Sequence, residues 1–316
     1  MIWYIIRRLG QAVIVVLGVT VITFILQHLI ASGAKLARAI LGPRATPLSI
    51  HAYIVEYGLN RSLIAQYWAF LWQLLHGNLG YSYKLNQPVN AILSRDIPND
   101  LVLVGVGLAL GIVIAVPLGI MQAVHRGKIA DHIATSVSFL LYAMPSFWLG
   151  LVLIELFAVN NTIFPAEAPQ GTFTQILQHP AGLVLPIATM TLANYALFSR
   201  YMRGAAIETL AEDYIRTARA KGLPQHQVLM RHLLRNSAAA IATLIGLSFP
   251  AVFTWGLVVE YVYNFPGTGL AFYNAAVTAD YPVELGITVV VGVATVLGSL
   301  VADLIYAVLD PRIRYD

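Results

Sequence analysis

The chain has 316 residues, of which 58% are hydrophobic and only 11% are charged. Soluble domains carry roughly 25% charged residues, so this composition excludes an ordinary soluble domain and indicates a chain embedded in lipid. The formal net charge is +4, and the sequence contains no cysteine, which excludes disulfides and thiolate metal sites.

Six stretches are apolar over the roughly 20 residues that a helix needs to cross a hydrocarbon core about 30 Å thick. They predict an all-α polytopic membrane protein with about six transmembrane helices. The predicted spans are Leu9–Ile30, Leu101–Val124, Ile133–Val159, Leu183–Tyr201, Ser237–Val259 and Leu285–Leu309. The chain then divides into an N-terminal helix (1–30), an external loop (31–98), a five-helix core (99–309) and a tail (310–316). Several glycines within the spans fall where helices can approach closely: 105, 107, 111, 150, 246, 256, 292 and 298.

Lysine and arginine accumulate on one side of this predicted bundle, and cytoplasmic loops carry such an excess. The two short loops of the other side, 160–182 and 260–284, contain neither residue. Both termini are therefore predicted to be cytoplasmic. A cleaved signal peptide fits less well, because the first apolar run of about 22 residues exceeds the 7–15 of a signal sequence.

The external loop at 31–98 is too long for a bare connection, so it is expected to carry structure of its own. Leu63–Leu75 is rich in aromatic residues and has no charge. Trp and Tyr favour the depth of the lipid headgroups, which predicts a helix lying along the membrane interface. The turn residues at 76–80 are expected to end this helix.

The most polar interruption of the chain is the predicted cytoplasmic loop 204–236. Its acidic residues at 212 and 213 precede cations at 219 and 221, which is the charge order that the helix dipole favours. Gly222 stands where a left-handed residue ends a helix, and Pro224 stops its propagation. The pattern predicts a short helix, a sharp corner, and a second helix running through Arg235 to the fifth span.

A helix of about ten residues is marginal in water, so this one needs something to pack against. The residues alone leave three partners open. These are the chain itself, lipid phosphates held by Arg216, Arg219 and Lys221, or a separate cytoplasmic protein.

Five stretches in chain order resemble the dipeptide/oligopeptide/nickel family of ABC importer permeases, in particular its first, B-type subunit. They are Gly77-Asn-Leu-Gly-Tyr-Ser-Tyr83, Met144-Pro-Ser-Phe-Trp-Leu-Gly150, Asp213-Tyr-Ile-Arg-Thr-Ala-Arg-Ala-Lys-Gly-Leu-Pro224 with Arg231-His-Leu-Leu-Arg-Asn236, Phe265-Pro-Gly-Thr-Gly269, and Leu309-Asp-Pro-Arg-Ile-Arg-Tyr315. The Glu-Ala-Ala of the wider importer signature is replaced by Arg216, Thr217 and Ala218, and its later proline by Arg235, as is typical of the peptide branch.

The resemblance implies a type I ABC importer permease fold and a membrane subunit that forms half of a pore for di- and oligopeptides. It implies as partners a second homologous permease, two ABC ATPases, an extracytoplasmic substrate-binding protein and the lipid bilayer, but no nucleic acid. The short helix would be the coupling helix that lodges in an ATPase. Its implied residues are Glu212, Asp213, Tyr214, Arg216, Thr217, Ala218, Arg219, Ala220, Lys221 and Gly222.

Motifs for chemistry on this chain are absent from the sequence. No Gly-x-x-x-x-Gly-Lys-Ser/Thr phosphate loop occurs, so ATP is not bound by that route. No His-Glu-x-x-His or Gly-x-Ser-x-Gly motif occurs, and the eight histidines are scattered. We therefore expect a non-enzymatic chain without a cofactor or metal of its own. The resemblance implies a bacterial cytoplasmic membrane as its location, with ATP and Mg on the partner ATPases.

Two acidic residues fall inside predicted spans, where charge is costly and often functional. Glu155 lies in the second half of the third span, and Asp303 lies near the cytoplasmic end of the sixth. Glu155 is interpreted either as a group facing the substrate path or, in preference, as a structural residue near the outer headgroups. Asp303 is interpreted as a helix-end acid paired with nearby cations.

The last external loop has an acidic, lysine-free character. Glu260 and Glu284 bracket it, Asp280 lies inside it, and Pro266 with Gly267 predicts a turn. In the resembled family this region borders the outer gate. The three acids are therefore a hypothetical docking rim for basic residues of the binding protein, unless they simply remain solvated.

Three other functions stay open at this point. Nickel or another small solute is the alternative cargo within the family. An ion-coupled secondary transporter would require ionisable pairs at the bilayer midplane and inverted halves, for which Glu155 is the one candidate. A membrane scaffold without transport activity is the third.

Overall fold

The computed structural model describes residues 2–30, 33–42, 44–82, 84–248 and 252–309. Within these ranges the regular secondary structure is helical, apart from a short antiparallel ladder of β1 (Tyr81–Ser82) and β2 (Gln87–Pro88). The first helices are α1 (Ile2–Ile30), α2 (Ala34–Leu41), α3 (Pro47–Glu56), α4 (Leu63–Leu75), α5 (Val89–Val124), α6 (Ile129–Ala143), α7 (Ser146–Ile154, continued by a π-helical turn to Val159) and α8 (Phe173–Leu177). The 3₁₀ turn Pro180–Leu183 leads into α9 (Val184–Ala211), and the remaining helices are α10 (Asp213–Ala220), α11 (Gln225–Gln227, continued by a π-helical segment Val228–Leu233), α12 (Leu234–Ser248), α13 (Val252–Tyr263), α14 (Thr268–Thr278) and α15 (Tyr281–Leu309).

Four of the described helices are long and apolar enough to cross a membrane, and a bent pair makes a fifth if it counts as one span. The four overlap the first, second, fourth and sixth predicted spans. The fifth predicted span corresponds to α12 and α13, which flank residues 249–251 outside the described ranges. The fourth span runs on as helix to Ala211, so the loop predicted to begin at 204 begins eight residues later, at 212.

The third predicted span is not one straight helix. Its two halves, α6 and α7, meet at an angle of 105°. Met144 has extended backbone angles (φ −75°, ψ 128°), and Pro145 follows it. Proline disfavours helical geometry in the preceding residue and lacks the amide that the next helical bond needs, which accounts for the break.

The centre of the bundle is the parallel pair α5 and α9. Small residues recur every four positions on α5, at 107, 111, 115, 119 and 123, and form the flat stripe that permits close helix approach in membranes. A Cβ at Gly111 would lie 2.7 Å from the Cβ of Asn194, and one at Gly119 would lie 2.7 Å from the Cβ of Met202. The stripe therefore fixes the register of the pair.

Helix α4 has the bounds predicted from sequence, and it packs on the second half of α1. The Tyr67 hydroxyl lies 3.0 Å from Thr20 Oγ1, and the Phe24 ring contacts both Tyr67 and Phe70. Trp68 and Trp72 point away from the bundle and are exposed. This amphipathic arrangement is the one expected of a helix lying at the membrane interface.

An ion pair joins α6 to α9. Arg203 donates from Nε and Nη2 to Asp131 at 2.8 and 2.9 Å. Asp131 is buried, and it also accepts from the Gly127 amide and the Thr135 hydroxyl. A second ion pair, Arg216 with Asp213, is exposed at 3.4 Å.

Replacing Asp131 with Asn is expected to destabilise the chain by about 2–3 kcal/mol, because it removes charge-assisted hydrogen bonds from a buried site. Asp213→Asn is the matched control, and we expect it to leave stability unchanged because exposed pairs contribute little. Thermal unfolding of the purified protein measures both. Equal thermal unfolding midpoints for the two variants would contradict the claim that the buried Asp131–Arg203 ion pair stabilises the fold.

Candidate functional site

The bundle has two ends with different features. We call the end that holds residues 125–128 and 212–224 the corner end. The opposite end, with residues 77–88, 160–172 and 264–280, is the clasp end. Helices α5 and α9 both run from the clasp end to the corner end, and α6 with α7 returns the chain between them.

The corner has the geometry that the sequence predicted. Gly222 has a φ of +76°, and its amide donates to Arg219 O at 2.9 Å. The next amide, of Leu223, donates to Ala218 O at 3.3 Å. These two bonds are the Schellman arrangement that closes a helix with a left-handed residue, so α10 ends at a fixed, sharp turn.

Helix α10 has one face against its own chain and one face free. Ile215 and Ala218 are buried in a cluster with Met202, Val228 and Leu233. One isoleucine side chain contributes about 1.5–3 kcal/mol on burial, so this packing holds the helix only modestly. The exposed residues of α10 and its end are Asp213, Tyr214, Arg216, Thr217, Arg219, Ala220, Lys221 and Gly222. Ala218 therefore allows close approach within the chain, and the outward face is polar and cationic.

The clasp is the buried meeting point of α5, α13 and the first turn of α14. Asp100 accepts from the Thr268 amide at 3.0 Å and also from the Thr268 hydroxyl. Glu260 accepts from the Leu270 amide at 2.9 Å. The first amides of a helix lack intrahelical partners and carry partial positive charge, so two carboxylates from other helices satisfy the start of α14.

The glycines of the Phe265–Gly269 motif make this approach sterically feasible. A Cβ at Gly267 would overlap the carboxylate oxygens of both Asp100 and Glu260. A Cβ at Gly269 would lie 2.5 Å from the Cα of Leu257. Any side chain at these two positions would push α14 away from the carboxylates.

A third carboxylate holds the other end of α14. Asp280 follows this helix and accepts from the hydroxyl of Ser82 in β1. Ser82 is fully buried, and its oxygen also accepts from the Leu85 amide at 3.0 Å. The last loop and the first loop are thereby joined through α14.

These contacts correct the expectation of an acidic rim. Glu260 and Asp280 are 2% and 4% exposed, because each accepts hydrogen bonds at an end of α14. Glu284 is half-buried near the start of α15. Pro266 is half-buried, and its carbonyl accepts from Asn99 Nδ2 at 2.7 Å. Two of the three acids are therefore shielded from a docking protein in this conformation.

Sequence reasoning missed the residues that precede the second span. Asp96, Asn99 and Asp100 are all buried, and Asp96 pairs with Arg95 at 2.6 Å. The available signal was a polar Asp-Ile-Pro-Asn-Asp run directly before an apolar stretch. The sequence predicts an external loop through residue 98, whereas α5 begins at Val89.

The two acids predicted inside spans have different outcomes. Glu155 is exposed at the start of the π-helical turn that ends α7, and it accepts from Asn160 Nδ2 at 3.2 Å. That position fits the structural interpretation. Asp303 lies within α15, and its side chain is outside the part of the chain that the structure describes.

Membrane-length helices around a tightly packed pair, with a polar helix–glycine corner exposed at one end, define a multi-pass membrane protein. The chain belongs to the family of inner membrane components of binding-protein-dependent transport systems. Residues 115–315 match the family itself, and residues 1–104 match its N-terminal region. The chain is accordingly an inner-membrane transport component and not an enzyme.

Curated relatives align over nearly their whole length. The chain is 34% identical over 315 residues to the oligopeptide transport system permease protein AppB of Bacillus subtilis, covering 99% of each. It is 34% identical over 317 residues to the oligopeptide transport system permease protein OppB of Haemophilus influenzae, covering 100% of each. It is 31% identical over 342 residues to the dipeptide transport system permease protein DppB of Escherichia coli, covering 100% of this chain and 99% of that one.

Proposed function

We propose that this chain is one of two membrane subunits of an ATP-driven importer for di- and oligopeptides. Support for the cargo comes from relatives whose names specify peptides and which align from end to end. The chain would form half of the translocation pore, opposite a second homologous permease. An extracytoplasmic binding protein would deliver the peptide.

The observation that carries the proposal is the outward face of α10. It is a short helix held by two buried residues and closed by a rigid corner, and most of its exposed side chains are polar or charged. The sequence has no phosphate loop, so an ATP-driven importer would need a partner that binds the nucleotide. We infer that α10 lodges in an ABC ATPase subunit, which binds ATP and Mg, and that this chain has no cofactor of its own.

The corner rather than any single side chain is the proposed coupling element. Gly222 fixes the angle between α10 and the helical run from Gln225 to α12, which leads into the membrane. Movement of α10 would then be transmitted to the bundle as movement of a rigid unit. Arg216, Arg219 and Lys221 are the proposed ATPase contacts on the exposed face.

We further propose that the corner end and both termini are cytoplasmic and that the clasp end faces outward. The distribution of lysine and arginine supports this orientation. The binding protein would then dock at the clasp end. Glu284 keeps a proposed docking role, whereas Glu260 and Asp280 are proposed to anchor α14.

The test is reconstitution of the full complex in proteoliposomes with its second permease, its ATPases and its binding protein. We expect uptake of a labelled tripeptide that requires ATP on the corner side and is suppressed by excess unlabelled peptide. Uptake of nickel in place of peptide would favour the alternative cargo. Uptake driven by an ion gradient without ATP would support a secondary transporter and contradict the proposal.

A further inference from the structure

An open cavity of about 370 Å³ lies at the bend between α6 and α7. The bend lines one wall, α9 lines another, and Val258 of α13 completes it. Its lining includes Tyr142, Ser146, Ala193, Asn194 and Leu197. None of the lining residues carries a charge, so the wall itself does not select a charged side chain.

Two polar groups in this cavity have unused hydrogen-bonding capacity. Asn194 donates from Nδ2 to Met190 O at 2.8 Å, and its own oxygen accepts no hydrogen bond from the described residues. The hydroxyl of Ser146 is also without a partner among the described residues. A buried amide that keeps a free acceptor beside a cavity is suited to a ligand that donates hydrogen bonds.

Arg200 continues the row of α9 that Ala193 and Leu197 form along the cavity, and it lies about 9 Å further along the helix axis than Asn194. Its guanidinium carbon is 4.4 Å from the ring centroid of Tyr142, which lines the cavity, and 4.6 Å from that of Phe139. No carboxylate pairs with it among the described residues, in contrast to Arg203. Two aromatic rings hold the planar cation in place while its hydrogen-bond donors stay available.

We propose that the cavity and Arg200 form a transient site for a peptide in transit, resting on the proposed peptide cargo. Asn194 and Ser146 would bond main-chain amide and carbonyl groups, and Arg200 would bind the C-terminal carboxylate. Every linear peptide has these atoms whatever its side chains. Such a site would therefore bind peptides of different amino-acid sequence. Because Arg200 is nearer the corner end, the C-terminus points toward that end.

The experiment compares a labelled tripeptide with the same tripeptide bearing a C-terminal amide, in the reconstituted complex. Arg200→Gln is expected to raise the transport KM of the free acid about tenfold, the equivalent of one charge-assisted hydrogen bond. The amide lacks the carboxylate, so its KM should not change. Arg200→Lys should restore part of the loss. Arg126→Gln removes an exposed cation at the same end and should change neither substrate.

Equal effects of Arg200→Gln on both peptides, or no effect on either, would overturn the site while wild-type uptake still supports the proposed function. Failure of wild-type uptake would instead reject the proposed function. If Arg200→Gln fails to assemble, Arg200→Lys provides the same comparison between acid and amide. Ala193→Cys gives a second measurement, because peptide should slow its labelling by a soluble maleimide. A thiol that is inaccessible in the assembled complex with and without peptide would mean that a partner subunit covers the cavity, and it would overturn the site.

Discussion

Replacing Gly222 with valine is expected to uncouple ATP hydrolysis from peptide uptake in the assembled complex. Gly222 has a φ of +76°, and a non-glycine residue there costs roughly 1–2 kcal/mol, more when it is β-branched. The corner would relax to a negative φ and lose the hydrogen bonds from the Gly222 and Leu223 amides. Binding-protein-stimulated ATPase activity and peptide uptake are measured on the same proteoliposomes. In the variant, the rate of ATP hydrolysis should no longer determine the rate of uptake.

Replacing Gly222 in turn with asparagine, alanine and valine distinguishes backbone strain from a steric clash. No atom lies within 4 Å of a Cβ built on Gly222, so size alone is harmless in this chain. Asparagine adopts the left-handed conformation more readily than alanine, and valine least of all. We therefore expect coupling to fall in the order Gly, Asn, Ala, Val.

Gly127 is a matched control at the same end of the bundle. Its φ is +78°, and it is equally open, but it lies outside the coupling loop. Gly127→Val should lower the thermal stability by a similar amount and leave coupling intact. Loss of coupling in both variants would show that strain anywhere at the corner end suffices. Normal coupling in Gly222→Val would show that the corner is not the coupling element.

Replacing Gly267 with alanine is expected to detach α14 and abolish uptake. The added methyl group would occupy the space of the Asp100 and Glu260 oxygens, which are fully enclosed by α5, α13 and α14. Leaving a buried polar group without its partner costs about 1–3 kcal/mol, and at least two amides at the start of α14 would lose their partners. The expected destabilisation is therefore several kcal/mol.

Thermal unfolding and uptake of the purified complex measure this effect. Gly105→Ala on α5 is the control, because no atom lies within 4 Å of its Cβ and alanine favours the helix. Asp100→Asn should give an intermediate loss, since it keeps the shape of the side chain but not its charge. An unfolding midpoint for Gly267→Ala that equals that of Gly105→Ala would refute the clasp.

The helices and the corner could be predicted because their signals are local. The length of an apolar run predicts a membrane span. The aromatic, uncharged composition of 63–75, with turn residues after it, was enough to predict both ends of α4. The order of acids, cations, glycine and proline in 212–224 was enough to predict both the helix and the positive φ of Gly222. Such patterns need no knowledge of the rest of the fold.

The clasp could not be predicted because its partners are far apart in sequence. Asp100 and Thr268 are separated by 168 residues, and charge alone suggested that Glu260 and Asp280 are solvated. Their burial depends on the free amides at the start of α14 and on the Ser82 hydroxyl, which only the tertiary structure places beside them. The bend at Met144 was missed for a related reason, since apolar composition continues unbroken through Pro145.

The most direct test of the account is cross-linking of α10 to an ATPase subunit. The chain has no cysteine, so each introduced thiol is unique within it. Arg219→Cys, on the exposed face, should cross-link to the ATPase in the assembled complex, whereas Ala218→Cys, which is buried in the chain, and Asn274→Cys, exposed at the clasp end, should not. A cross-link from Asn274→Cys and none from Arg219→Cys would contradict both the orientation and the coupling role of α10.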